Sequence, residues 1–350
     1  MRLSKHAARA GVVLASLLSP AAACRAQGEI RMGFLSQEIA PFCVNTGAVH
    51  EAEMSPFSPE SGGVKLKKIL VTVSQAPVMV SNGDLDVAEC AGPSGLAQAW
   101  SKGGKNAVVV FVGSAKPAYV LIGGKGIKSL ADLRGKVVGS PGPQSTATEA
   151  SSLILRHGAG LTQDRDYKLV SAGTGGARAA AMAAGKIDAV PVYPPFSYRM
   201  IDDGFNLVGD QADHVPKYAS GTIVANRAWA TKNPDLLVAL LKTFLRTGEW
   251  LRDPGKKEEV IARLAKTVTE GPEPMGADHA RRFYKDVIEA GRVAFDGYAD
   301  EATFQSNLDI MVERGVIAKE DAPPVREIVD YTWLNRARRE LGLPEMPPIK

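Results

Sequence analysis

Cysteine is scarce in this sequence. Three occur in 350 residues, at positions 24, 43 and 90, and no two stand as Cys-x-x-Cys. That spacing excludes paired-thiolate zinc modules and thioredoxin-like redox motifs. Cys43 and Cys90 either pair in an oxidising compartment or stay as small buried thiols. Histidine is equally thin: His6, His50, His157, His214 and His279 are scattered at no metal-ligand spacing. Beyond the first 26 residues no apolar run reaches the ~18 residues a membrane helix needs. The serine-hydrolase elbow is missing too, because Ser94 and Gly95 are adjacent in "GPSG" and Gly-x-Ser-x-Gly needs a residue between them. "GTGGAR", Gly173 to Arg178, lacks the spacing of a Walker loop or a dinucleotide fingerprint. No nucleophile–base pair stands out, and no cofactor is implied.

Positive charge is lacking where it would matter. The formal net charge is +4, but Arg2, Lys5, Arg9 and Arg25 all lie in the first 26 residues, which hold no acid. Without them 42 − 4 = 38 basic residues face 38 acidic ones, so a nucleic-acid partner loses its simplest electrostatic support. Residues 1–26 run from basic "MRLSKHAARA" through apolar "GVVLASLLSPAAA" to small residues. That order reads as a secretory signal cut after Ala26. Cys24 after "AAA" also admits a lipoprotein anchor, although Ala21 stands where Leu is usual.

What remains has ample punctuation, with 35 Gly and 22 Pro. "EIRMGFL", "VKLKKILVTVS", "NAVVVFVGS", "AYVLIGG", "DYKLVSAG" and "KIDAVPVY" read as strands, separated by helical stretches. Such alternation argues for parallel α/β units. The Ala-rich run "GGARAAAMAAG" reads as a short helix stopped by Gly185. An echo runs through the chain: Gly83 to Pro93 and Gly185 to Pro195 share Gly, an aliphatic residue, Asp and Pro at matching offsets, 102 residues apart. It points to two lobes of similar topology, each with a Pro-marked loop at a strand's C-terminal end. Asp84 and Asp86 read as residues that cap and solvate a turn. Past residue 220 a strand leads to a long amphipathic helix starting near Pro234, with Asn233 as N-cap, and the α-rich tail is expected to pack on the first lobe.

The stretch "GSPGPQSTATEA", residues 139 to 150, hands a strand over to a helix. Thr146 and Glu149 have the Thr-x-x-Glu spacing of a capping box, which marks the helix start there. Its first amides are unsatisfied within the helix and favour negative charge in front of them. Gly142, Gln144 and Ser145 would admit an oxygen-rich ligand to that backbone. The same features suit a capped helix after a tight turn.

"KSLADLRGKVVGSPGPQST" (128–146), "AAMAAGKIDAVPVY" (180–193) and "NRAWATKNPDLLVALLKTFLRTGEW" (226–250) together resemble the NMT1-like periplasmic substrate-binding proteins of the nitrate, sulfonate, taurine and thiamine-precursor group. The resemblance runs from about residue 29 to 250. It implies an α/β, two-lobed periplasmic-binding-protein-like fold (type II), each lobe a mainly parallel sheet flanked by helices. The division it implies is 1–26 signal peptide, 27–117 first lobe, 118–218 second lobe and 219–350 first-lobe return, with hinges near 115–120 and 215–222. A monomer would bind a small organic solute between the lobes and deliver it to the transmembrane permease of an ABC-type importer in the periplasm. It would not be an enzyme. Relatives also include enzymes of pyrimidine-precursor synthesis, which use an active-site histidine and iron, and a receptor for a tripartite transporter or a sensor kinase would look much the same. The segment "SQEIAPFCVNTGAVHEAEMSPFSPESGG" (36–63) departs from the family's glycine-rich segment after the first strand, which leaves the ligand class open.

On this reading the ligand-binding residues are Ser36 and Gln37 after the first strand, then Gly92, Pro93 and Ser94 from the facing lobe. Gln144, Ser145 and Thr146 follow, with Thr174 and Gly175 at another helix start and Tyr193 just past a strand. Phe196 and Tyr198 would wall the site beside Tyr193. Arg178 either clamps a carboxylate or, the better fit, is an exposed helix arginine. Few fixed cations line these loops, so a monoanion or a neutral aromatic-like solute is expected. Export into a periplasm should yield a mature chain beginning at Gln27, which intact-mass measurement would read directly.

Overall fold

An uninterrupted β-branched run such as "AVVVFVGS" suits a strand covered on both faces. In the computed structural model it forms a strand with all eight residues buried. The structure describes residues 28–34, 56–58, 63–72, 75–142, 145–173, 175–267 and 274–350.

The first sheet contains β1 (Gly28–Phe34), β2 (Val64–Leu70), β3 (Val87–Ala91), β4 (Ala107–Ser114) and β10 (Ser220–Asn226), in the order β2-β1-β3-β10-β4. The second contains β5 (Val120–Gly123), β6 (Val137–Ser140), β7 (Lys168–Ser171), β8 (Ala189–Val192) and β9 (Asn206–Asp210), in the order β7-β6-β8-β5-β9. In each sheet one strand is reversed: β10 runs antiparallel to β3 and β4, and β5 to β8 and β9. The two orders therefore match position for position. Edge strand β2 carries exposed Lys65, Lys67 and Lys68, charges that discourage edge-to-edge pairing.

The internal echo has a structural meaning. Helix α1 (Ala76–Asn82) ends at Gly83 with φ 85°, and α4 (Gly175–Ala183) is followed by Gly185 at φ 68°. Both conformations are left-handed and favour glycine. Two residues on, Leu85 and Ile187 lie so close to Gly33 and Gly139 that a Cβ at Gly33 would stand 2.6 Å from Leu85 Cδ1. Next come the aspartates. Asp86 Oδ2 accepts the Arg31 amide at 2.8 Å while the Asp86 amide donates to the Arg31 carbonyl. Asp188 does the same with Val137, at 2.9 Å. The reading of Asp86 as a turn-solvating residue is thus corrected. It is 3% exposed, because the Arg31 amide, one residue before β1 pairs with β3, needs an acceptor, and Arg31 adds a bidentate guanidinium contact.

The remaining helices are α2 (Pro93–Ser101), α3 (Thr146–Ala159), α5 (Phe196–Asp202), α6 (Arg227–Lys232), α7 (Pro234–Arg252), α8 (Lys257–Leu264), α9 (Ala277–Phe283), α10 (Glu301–Glu313), α11 (Val325–Ile328) and α12 (Thr332–Glu340). Asn226 caps α6 by accepting the Trp229 amide, a short helix the sequence pattern missed. Asn233 precedes α7 as expected, but its side chain donates back to the Trp229 carbonyl instead of capping. Residues from α7, α10, α11 and α12 join the core of the first sheet, where Phe244 meets Phe111 edge to face at 5.5 Å.

The tail does more than expected. Helices α8 and α9 and the π-helical turn Tyr284–Glu289 form a separate cluster with Trp250 that takes in Tyr198 of the second lobe. Arg282 lies over the Tyr198 ring and pairs with Asp202, which also hydrogen-bonds His279, so these contacts tie the tail to the second lobe. The chain crosses between sheets twice, between Ser114 and Val120 and between Asp210 and Ser220. Arg292 holds both crossings, donating to the Pro117 carbonyl at 3.0 Å and to Asp210 at 3.2 Å. Among the described residues no helix is long and apolar enough to cross a membrane.

Removing either echoed carboxylate strands a backbone amide. Asp86→Ala and Asp188→Ala should each lower the urea-unfolding free energy by about 2 kcal/mol, whereas Asp84→Ala, at an exposed position, should change it little.

Candidate ligand-binding site

Strands β3, β6, β7 and β8 each release a helix at their C-terminal ends: α2, α3, α4 and α5. The starts of α2 and α3, whose first amides have no partner within the helix, come together across the two lobes. Gly92 is the N-cap of α2 with extended backbone, and Pro93 holds the first helical position, where its missing N–H costs nothing. Across the seam stands Thr146, the first residue of α3. A Cβ at Gly92 would lie 3.2 Å from its Oγ1. Gly92 of the "GPSG" loop and Thr146 at the start of α3 thus face one another.

The capping is corrected by one position. Ser145, not Thr146, is the N-cap of α3, its Oγ accepting the Thr148 amide at 3.2 Å. Thr148 donates its hydroxyl to Ser140 at 2.7 Å and lies 2.5 Å from the Gly142 carbonyl. This knot of hydroxyls, unseen in the sequence, fixes the loop before the helix. Glu149 consequently does not reach back to a capping box. Its carboxylate accepts the Tyr218 hydroxyl at 2.6 Å and the Ser94 hydroxyl at 3.0 Å, and Arg314 approaches to 3.4 Å.

Glu149 is 2% exposed. Burial pushes its carboxyl above the ordinary range, against the pull of Tyr218, Arg314 and Ser94. Burial and the neighbouring carboxylate raise the Tyr218 hydroxyl well above its usual value, so it remains a donor. A charged residue on the same face as Leu153, four residues on, was the available signal for a buried acid.

Tyr193 follows β8 as expected and is buried, with its ring edge-on to Tyr119 at 5.4 Å; the pair packs with Ala147 and Ala150 of α3. Phe196 and Tyr198 do not share this wall. Phe196 joins the apolar cluster under β5 and β8, and Tyr198 donates to Asp286 at 2.9 Å, because α5 turns these side chains away from Tyr193. Gly175 opens α4. Arg178 is corrected from exposed to buried: it is 2% exposed and donates to the Gly173 carbonyl at 2.8 Å, which holds the turn before α4. Ser36, Gln37, Gln144 and Thr174, the loop 36–55 with Cys43, and the segment 1–26 with Cys24 lie outside the described residues. Among the described residues no three His, Cys, Asp or Glu side chains gather as a metal site.

Two mixed five-stranded sheets flanked by helices, meeting at their helix starts, constitute the periplasmic-binding-protein fold. The NMT1/THI5 like family model matches residues 62–256, more than half of the chain, and the chain belongs to that family. Its fold is similar to that of the putative sulfonate ABC transporter periplasmic sulfonate-binding protein SsuA from Methylobacillus flagellatus KT, with TM-score 0.66 and 17% identity over 93% of this chain and 99% of that one. The periplasmic aliphatic sulphonate binding protein SsuA from Escherichia coli gives TM-score 0.63 and 21% identity, over 86% and 92%. The periplasmic nitrate-binding protein NrtA from Synechocystis PCC 6803 gives 0.67 and 13%, over 91% and 90%. Among curated protein sequences none matches this one.

Loss of the α3 cap should be measurable locally. Ser145→Ala should cost about 1 kcal/mol and speed hydrogen exchange of the Thr148 amide, leaving that of α7 unchanged.

Proposed function

We propose that this chain is the exported solute-binding component of an ABC-type importer. It would close two lobes on a small organic solute and present it to a transmembrane permease from the periplasm. The observation that carries this reading is the apposition of Gly92 and Thr146, which sets helix starts from opposite lobes against one seam. Helix starts bind carboxylate or sulfonate without a charged side chain, and the family and fold support the same role.

The lobes on this reading are 27–117 with 219–350, and 118–218, turning about the crossings at 115–120 and 215–222. Residues 1–26 would be the export signal, and the protein would act as a monomer. Ligand contacts come from Gly92, Pro93 and Ser94 on one side, from Ser145 and the Thr146 amide on the other, and from Gly175, with Tyr193 as an apolar wall; the Ser145 amide itself already donates to the Gly142 carbonyl. Ser36, Gln37, Gln144 and Thr174 complete the proposed set. The hydroxyls of Ser94 and Ser145 already serve Glu149 and Thr148, so Thr146 is the hydroxyl best placed for a solute. A sulfonate, a carboxylate or a pyrimidine-like ring suits this lining.

Native mass spectrometry of co-purified solute, then a thermal-shift screen of sulfonates, carboxylates and pyrimidines, should identify a stabilising compound. Thr146→Ala with Tyr193→Ala should then weaken its affinity about tenfold or more, roughly 1.4 kcal/mol. Unchanged affinity would reject the site, and iron-dependent conversion of a pyrimidine would reject the carrier role.

A further inference from the structure

Glu149 belongs to the second lobe, yet among the described residues its carboxylate partners all come from outside that lobe's sheet and helices. Ser94 opens α2 and Arg314 ends α10, both packed on the first sheet, and Tyr218 sits on the second crossing. Separation of the lobes removes Ser94 and Arg314 together and returns the carboxylate to water. Closure removes that water, which an ionised carboxylate gives up only at a cost unless it is fully paired. Here the ionic partner is at 3.4 Å rather than in close contact, so pairing is incomplete.

We propose that Glu149 is the positioning residue of a proton-coupled latch: closing the lobes buries it against Ser94, Tyr218 and Arg314 and draws a proton from solution. The proposal rests on the reading of the chain as a cleft-closing solute-binding protein. Open, water holds the group at the ordinary carboxylate value. Closed, burial holds it higher. Between those two values the closed form binds more protons, so closure is fully favoured below the lower value and loses ground as pH rises through the higher one. The proton also serves the cargo. Glu149 lies about one helical turn, roughly 5 Å, from the first amides of α3, where an ionised carboxylate would oppose an anionic solute.

Other groups face this seam. Tyr119 lies near Tyr218, and Tyr167 near Arg314. On α3 itself Arg156 and His157 turn to Glu313, at 3.0 and 3.9 Å. On the opposite flank His279 meets Asp202 at 2.7 Å, a second titratable pair joining the tail to the second lobe. It must be separated from Glu149 by mutation.

The test is small-angle scattering of the mature chain without added solute, from about pH 5 to about pH 8, beside a solute screen at each pH. The wild type should become more compact as pH falls. Glu149→Gln, which keeps the shape and an acceptor, should flatten that profile, and His279→Asn should retain it. Arg314→Met should move the midpoint up, since it removes the cation that favours the ionised form. Tyr218→Phe and Ser94→Ala should also raise the midpoint, and they decide the matter if Glu149→Gln does not fold. A wild-type profile that is flat, one that survives Glu149→Gln, or one abolished by His279→Asn alone overturns the latch. Solute binding with pH-independent compaction overturns the latch and leaves the carrier role standing; proton-dependent compaction with no solute bound supports the latch while removing that role.

Discussion

A carboxylate sealed between two bodies imposes a condition on both: each must supply part of its hydrogen bonding, or the seam does not close. Glu149 is that carboxylate. Ser94 and Arg314 reach it from the first lobe and Tyr218 from the crossing, and its own helix is set by the hydroxyl knot of Ser140, Ser145 and Thr148. The facing of Gly92 and Thr146, and with it the line of free amides, follows from the same closed geometry.

Away from the seam the lobes repeat one solution. In each, a left-handed glycine ends a helix, an aliphatic residue fills the space left open by a glycine on the neighbouring strand (β1 or β6), and an aspartate takes the amide one residue before that strand's pairing begins. The side chains differ between copies where only apolar bulk is needed, Leu85 against Ile187, and are retained where a specific acceptor is needed, Asp86 and Asp188. This division follows from directionality: a hydrogen bond fixes its acceptor, whereas dispersion accepts any residue of similar volume.

Much of this was legible in the sequence because it is local or periodic. The strand–helix alternation, the Gly stops and the echo all leave marks within about a dozen residues. The partners of Glu149 did not, because Ser94, Tyr218 and Arg314 lie 55, 69 and 165 positions away; the Thr-x-x-Glu spacing offered a nearer explanation that Ser145 displaced by one residue. Arg178 and Asp86 escape a sequence reading for a related reason. A charged residue in a turn-rich stretch suits solvent on composition alone, and only the carbonyl or amide it meets in the fold shows otherwise. The aromatic trio failed on helix geometry: once α5 begins at Phe196, its side chains leave the face that Tyr193 occupies.

The place of β10 sets an order on assembly. It lies between β3 and β4 and pairs with both, so these two strands have no contact in the ladder until residues 220–226 have been synthesised. The second sheet is complete by residue 210. A nascent chain therefore holds one finished sheet while the other displays two bare strand edges, open to wrong partners, and the earlier-made half of the molecule is the later to mature.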